Sequence, residues 1–258
     1  MKFLFYLFLG LLLIINLSCS STRLAKKKES IVNNSGFILH ADSMLKSMEQ
    51  EFKVYDLQPN EVIADIGFAT GWLEGVLMIN YDSLTIYAQE INGYSLRTLN
   101  VVSDKYSELR TTPNTNELVL VKGRKKKTNL PRYVFDKIII RQTFHHFSHP
   151  DAMLADIWET MKPGAELFIY EPIAAKTYYD KKVGCLNYSR SDLLKIFENS
   201  NFQLTREYGF MGTPGNVPPW LKVPPEALRP VKLYVFKKSA IPESRGANSR
   251  PGMDGASE

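Results

Sequence analysis

Apolar positions along the chain repeat with two periods, one helical and one extended, and the two alternate. Met44, Leu45, Met48 and Phe52 recur at helical spacing, so a helix is predicted from Asp42 to about Val54, with Asp42 as its N-cap. After the turn at Pro59-Asn60, Val62 to Ile66 is a short apolar strand. A helix from Trp72 to about Ile79 carries Leu73, Val76 and Leu77 on one face. Ser83 to Gln89 is the next strand, and Leu96, Leu99 and Val102 define a helix from Asn92 to about Lys105. Strands follow at Glu117–Val121 and Phe135–Ile140. Met153, Leu154, Ile157, Trp158 and Met161 stripe a helix from Pro150 to Met161, with proline in the first turn, where its missing N–H costs nothing. Lys162-Pro163-Gly164 stops that helix ahead of a strand at Glu166–Tyr170. Last come a helix from Ser191 to about Glu198, a strand at Gln203–Tyr208, a Pro-rich loop at Gly212–Pro230 and a strand at Lys232–Phe236.

Strands that alternate with helices imply a parallel sheet with helices on both faces, and these strands are apolar throughout, as two-sided burial requires. The final two strands have no helix between them and read as an antiparallel hairpin. The expected fold class is therefore α/β: a three-layer doubly wound sheet, mainly parallel, with an antiparallel C-terminal edge strand.

The first residues follow neither period. Phe3 to Leu17 is apolar apart from Gly10 and Asn16, and Lys2 precedes it. That run is shorter than the ~20 residues of a spanning helix and suits a secretory leader. It stops at Ser18-Cys19-Ser20-Ser21, which resembles a bacterial lipobox, although Asn16 stands where an aliphatic residue is usual. The expectation is a signal peptide at 1–18, a lipidated Cys19, a polar tether at 19–38, the folded domain at 39–238 and a disordered tail at 239–258. This places the protein in the bacterial cell envelope, held to a membrane by the lipid and exposed to the periplasm.

Composition narrows the class. The chain has 258 residues, 44% of them hydrophobic and 23% charged, which is globular. The net charge of +5 is concentrated in Lys26-Lys27-Lys28 and Arg124-Lys125-Lys126-Lys127, which read as solvated basic loops rather than a nucleic-acid site. Cys19 and Cys185 are the only cysteines, so a lipidated Cys19 leaves no disulfide framework.

Doubly wound sheets bind ligands at the carboxyl ends of their strands. The first candidate there is Asp65-Ile66-Gly67-Phe68-Ala69-Thr70-Gly71, between a strand and a helix. A dinucleotide fingerprint would need a small residue at 72, where Trp72 stands. Next is Glu90, at the end of the following strand, where an acid can accept the hydroxyls of a ribose. Third is Phe135 to Phe147, then Pro150-Asp151, Met161-Lys162-Pro163-Gly164 and Leu167 to Glu171. In this order the three segments, spanning residues about 41 to 171, resemble the motifs of the class I S-adenosylmethionine-dependent methyltransferases, which have a Rossmann-like sheet.

That resemblance implies S-adenosylmethionine as cofactor and methyl transfer to a small-molecule or envelope acceptor through oxygen or nitrogen. It places Gly67, Phe68, Ala69, Thr70 and Gly71 against the cofactor, Asp65 at its ammonium group, and Glu90 and Ile91 at the ribose side. Arg141, Gln142 and Phe144 would lie at the methionine end. Where the family often has a polar or acidic residue near the adenine, this chain has Lys122-Gly123-Arg124, so no adenine contact is assigned. His145, His146 and Glu171 are the candidates to deprotonate or orient an acceptor. Three of the four histidines fall in His145-His146-Phe147-Ser148-His149, but a metal is not expected: His145 and His146 precede the helix, so no helical face holds the cluster, and no second cysteine or carboxylate cluster completes a shell. Tyr178, Tyr179 and the Pro-rich loop are the candidate substrate elements. The competing reading is a catalytically silent envelope protein that keeps this fold for binding.

Overall fold

The computed structural model describes residues 46, 48–182, 184–212 and 229–239. The expected leader, Cys19, the tether, the Asp42 cap, nearly all of the Pro-rich loop and the tail lie outside these residues.

Helix α1 covers 48–55. It is followed by β1 Val62–Ile66, α2 Trp72–Asn80, β2 Thr85–Glu90, α3 Gly93–Glu108, β3 Glu117–Lys122 and β4 Phe135–Arg141. A 3-10 turn at Phe144–His146 leads into α4 Pro150–Thr160 and β5 Met161–Pro172. Two short strands, β6 Tyr178–Asp180 and β7 Cys185–Asn187, precede α5 Arg190–Asn199, β8 Phe202–Gly212 and β9 Arg229–Lys238. Seven strands form one sheet in the order β3-β2-β1-β4-β5-β9-β8, and β6 pairs with β7 alone. Pairings from β3 to β5 are parallel, and β9 is antiparallel to both of its neighbours.

This is the mainly parallel doubly wound sheet with an antiparallel C-terminal strand. β9 lies between β5 and β8. Val231, Leu233, Tyr234, Val235 and Phe236 are all buried, so β9 suits an interior position. β8 exposes Gln203, Thr205 and Arg206 and takes the outermost one.

Successive strand residues serve opposite layers. Ile63, Ile139, Phe168 and Val235 pack with residues of α1, α2 and α3, whereas Ala64, Ile138, Ile140 and Ile169 pack with those of α4 and α5. β5 starts earlier than its apolar pattern predicts, because Met161 pairs with Phe135. The register then jumps across Lys162–Ala165, where Gly164 has φ 80°, and resumes at Glu166 opposite Lys137. Helix α5 is capped by Ser189, whose side chain accepts from the Asp192 N–H.

The α4–α5 layer is anchored by Phe197, which is fully buried and stacked on Phe236 at 4.2 Å. Phe197 also lies 4.9 Å from Phe144, just before the two histidines. Phe197→Ala is expected to cost about 3–5 kcal/mol in a urea-unfolding measurement.

Candidate active site

β1 ends at Ile66, and the chain turns back through 67–71 into α2. Gly67 and Gly71 both have φ 80°, a conformation that costs an L side chain roughly 1–2 kcal/mol. Gly67 is also constrained by space: a Cβ there would lie 2.2 Å from Cγ2 of Thr143. Thr143 Oγ1 donates to the Gly67 carbonyl at 3.0 Å, so the glycine loop is pressed onto the loop after β4. Two non-glycine residues, Ala69 and Gln142, sit at φ 51° on either side of this contact. Strain of that kind concentrates at ligand sites.

Asp65 has the same strand parity as Ile63, so its side chain enters the layer that contains α2. There it meets Glu74, which is fully buried. Burial pushes the Asp65 carboxyl up to about 7, while Glu74 beside it and Arg141 pull the other way. Burial, reinforced by the Asp65 charge, raises the Glu74 carboxyl well above its ordinary range. The two buried carboxyls hydrogen-bond each other and so share a proton.

Arg141, at the end of β4, is gripped by Glu51 of α1 through Nε at 2.8 Å and Nη2 at 2.9 Å. Its guanidinium lies 4.7 Å from the centre of the Tyr170 ring. Burial opposes its charge, but Glu51 outweighs that and keeps Arg141 protonated. Tyr55 donates to the same carboxylate at 3.1 Å.

The 3-10 turn presents the histidines. Glu171, at the end of β5 and buried, accepts from the Phe144 N–H at 2.7 Å and holds His145 Nδ1 at 2.6 Å. The His145 and His146 rings are 4.1 Å apart. Burial, then repulsion from His145, lowers the pKa of His146, and Glu171 only partly offsets this. The β6–β7 hairpin packs against this turn. Its Cys185 is buried, which pushes the thiol pKa up, with Asp180 and Glu171 adding to the shift.

These elements enclose a cavity of about 550 Å³. Of the residues predicted from sequence, Asp65, Gly67, Phe68, Ala69 and Thr70 line one side, and Arg141, Gln142, His145 and His146 the other. Gly71 lies below as the residue that starts α2. Glu90 and Ile91 stand outside the lining. Glu90 Oε1 accepts from the N–H groups of Ile91 and Asn92, and its Oε2 accepts from Ala69, so the acid braces the glycine loop. Ile91 is half exposed. Phe144 does not reach the cavity: it is fully buried among Phe147, Tyr188 and Phe197, and only its N–H takes part, toward Glu171. Glu171 sits behind His145 rather than in the cavity. Tyr178 lines the cavity and Tyr179 does not.

Several lining or supporting residues carried no usable sequence signal. Met48 looked like ordinary helix core. Glu51 and Glu74 are acids on helices with no local motif to mark them. Cys185 and Asn187 belong to a hairpin too short to show a period.

The acid pair has a pH signature. Carboxyls raised in the folded protein bind protons that the unfolded chain has already released, so stability falls as pH rises from the ordinary carboxyl range through about 7. Calorimetric melting should show a lower midpoint at pH ~8 than at pH ~5, by more than the roughly 2–4 °C that corresponds to 1 kcal/mol. Glu74→Gln should shrink that difference.

Residues 64–169 match a sequence family described as a methyltransferase domain. No curated protein matches the chain. Among solved structures, a methyltransferase candidate from Bacillus halodurans is similar at a TM-score of 0.56 and 15% identity, over 76% of this chain and 99% of that one. A SAM-dependent methyltransferase from Aquifex aeolicus is similar at 0.53 and 18% identity, over 82% and 97% of the two chains. The 4+2 cyclase SpnF reaches 0.56 at 13% identity, over 75% and 80%. A cyclase as similar as a methyltransferase means that these likenesses establish fold and not reaction. The family match contains the glycine loop, Glu90 and the histidine turn, and ends before Glu171 and the β6–β7 hairpin. The chain therefore has the Rossmann-like fold seen in SAM-dependent methyltransferases, and its residues 64–169 are similar to a methyltransferase-domain family.

Proposed function

We propose that this protein is an S-adenosylmethionine-dependent methyltransferase acting on an oxygen or nitrogen of a small-molecule or envelope acceptor. The observation that carries the reading is Asp65. Its carboxyl is buried against that of Glu74, beside a left-handed glycine cradle, on the wall of a cavity of about 550 Å³. A ligand with an ammonium group would bring positive charge to this acid pair and favour the ionised carboxylate. The cavity volume is in the range of small-molecule sites.

Gly67 to Gly71 would hold the cofactor through close backbone approach, and Asp65 through its carboxylate. Glu90 would take the ribose hydroxyls with the lone pairs its backbone contacts leave free, and Ile91 offers an apolar surface beside it. Arg141 has donors beyond the two bound to Glu51 and would face the methionine end with Gln142. Once bound, the cofactor supplies the reactive methyl group. The protein's part is to exclude water, orient the acceptor and receive its proton. His146 lines the cavity and is the base in this reading, while Glu171 fixes the ring of His145 beside it.

Calorimetric titration of the full chain with S-adenosylmethionine and S-adenosylhomocysteine tests the proposal. Micromolar binding that Gly67→Ala abolishes is the expected result, because the added Cβ meets Thr143. No heat at millimolar ligand would replace the enzyme with the silent binding fold.

The chain is further proposed to be lipid-anchored in the bacterial envelope through Cys19, facing the periplasm. No helix among the described residues is long and apolar enough to cross a membrane. Cells fed a labelled fatty acid should label the wild-type chain and not Cys19→Ala. Equal labelling would remove the anchor.

A further inference from the structure

His145 and His146 alone make a poor metal site, and their neighbours in sequence supply no third ligand. The fold supplies one from β7. The ligand atoms of His145, His146 and Cys185 all lie within 4.8 Å of one another. All three residues line the cavity that also contains Asp65 and Gly67. We propose that His145, His146 and Cys185 form a three-ligand site for a zinc-class divalent ion, with its fourth position open to the cavity.

Three observations support the assignment. The donor set of two imidazoles and one thiol is what a borderline-soft transition ion selects, and three protein ligands with one open position is the arrangement of reactive rather than structural zinc. Glu171 Oε2 holds His145 Nδ1 at 2.6 Å, so the carboxylate fixes the tautomer and leaves Nε2 open to an ion. That carboxylate–histidine pairing is the usual outer support of a metal-bound imidazole. Glu171 is itself held by the Phe144 N–H, so this support is built into the end of β5.

Metal–nitrogen bonds of ~2.0–2.1 Å and a metal–sulfur bond of ~2.3 Å place tetrahedral ligand atoms about 3.5 Å apart. The three groups must therefore close by about 1 Å from their present spacing. His146 is exposed and has room to rotate toward the other two. Cys185 gives its thiol proton to solvent as the sulfur–metal bond forms.

The role of the ion rests on the methyltransferase reading, but its binding does not. An acceptor oxygen, nitrogen or sulfur taken as the fourth ligand loses its proton more readily. With an ion bound, the His146 lone pair is committed to the metal, and the ion replaces His146 in activating the acceptor. The favoured substrates are then acceptors that can ligate a metal through the atom to be methylated.

The test uses the full chain in detergent, stripped with a chelator and dialysed against buffered Zn(II), with Co(II) as the spectroscopic probe. One zinc per chain is expected, along with a thiolate-to-cobalt charge-transfer band that Cys185→Ser removes. His146→Ala, at an exposed position, should weaken zinc binding by more than the 10–100-fold expected for the outer-support variant Glu171→Gln. His149→Ala should change neither signal. Failure to retain zinc, or zinc bound equally well by Cys185→Ser, overturns the site. S-adenosylmethionine titrations of the zinc-loaded and stripped samples separate the two proposals: zinc without cofactor binding sinks the methyltransferase alone, and cofactor without zinc binding sinks the metal site alone.

Discussion

The parallel pairing of β1 with β2 on one side and β4 on the other is the constraint from which the site follows. Asp65 lies in register with Ala88 and with Ile139, in the middle of a sheet covered on both faces. The backbone there has no freedom to turn the residue toward solvent. Ladder bonding continues past the strand, since Gly67 donates its N–H to the Gln89 carbonyl at 2.7 Å. The chain must then reverse at once to enter α2. That reversal needs left-handed residues, and its closeness to the β4 loop needs one of them to lack a side chain. The glycine loop is thus a consequence of sheet geometry before it is a ligand cradle.

The same register imposes a cost. An acid on an interior strand must go into one helical layer or the other, and Asp65 goes into the layer where Glu74 is waiting. Two buried carboxyls cannot both be charged, so one proton stays with the pair. Two non-glycine residues with positive φ, Ala69 and Gln142, adjoin this point. Elsewhere, Ser189 caps α5, and Arg190 pairs with Glu207 at 2.6 Å.

The cavity has two halves of different origin. One is the sheet edge, with the glycine loop and the residues after β4, and it falls within the segment that matches the methyltransferase domain. The other is the β6–β7 hairpin, outside that segment, which brings Tyr178, Asp180, Cys185 and Asn187. In the proposed reading the first half would hold the cofactor and the second would face the acceptor. The histidine turn lies between them, so the choice between proton acceptor and metal ligand for His146 is made where the two halves meet.

Much of the fold was legible in sequence because its signals are local. The strand read from Val62 to Ile66 is observed with those bounds, and the helix from Trp72 was placed to within a residue. Both are runs whose burial on two faces, or on one stripe, shows directly in apolar periodicity. The glycine loop was legible for the same reason, since a left-handed turn must be specified by the residues in it. Pairings between distant segments were not legible. Nothing near Arg141 announces that Glu51, ninety positions earlier, occupies its guanidinium. Nothing near Phe144 shows that its ring turns into the α4–α5 core while its N–H serves Glu171. Cys185 acquires two histidines as neighbours only because β7 folds back onto the turn after β4. Local sequence decided which residues form strands, helices and the tight turn at Gly67, because backbone preference and burial period act over a few residues. Tertiary structure alone decided which charges, rings and sulfur meet, because those contacts depend on sheet order and on the layer each side chain enters.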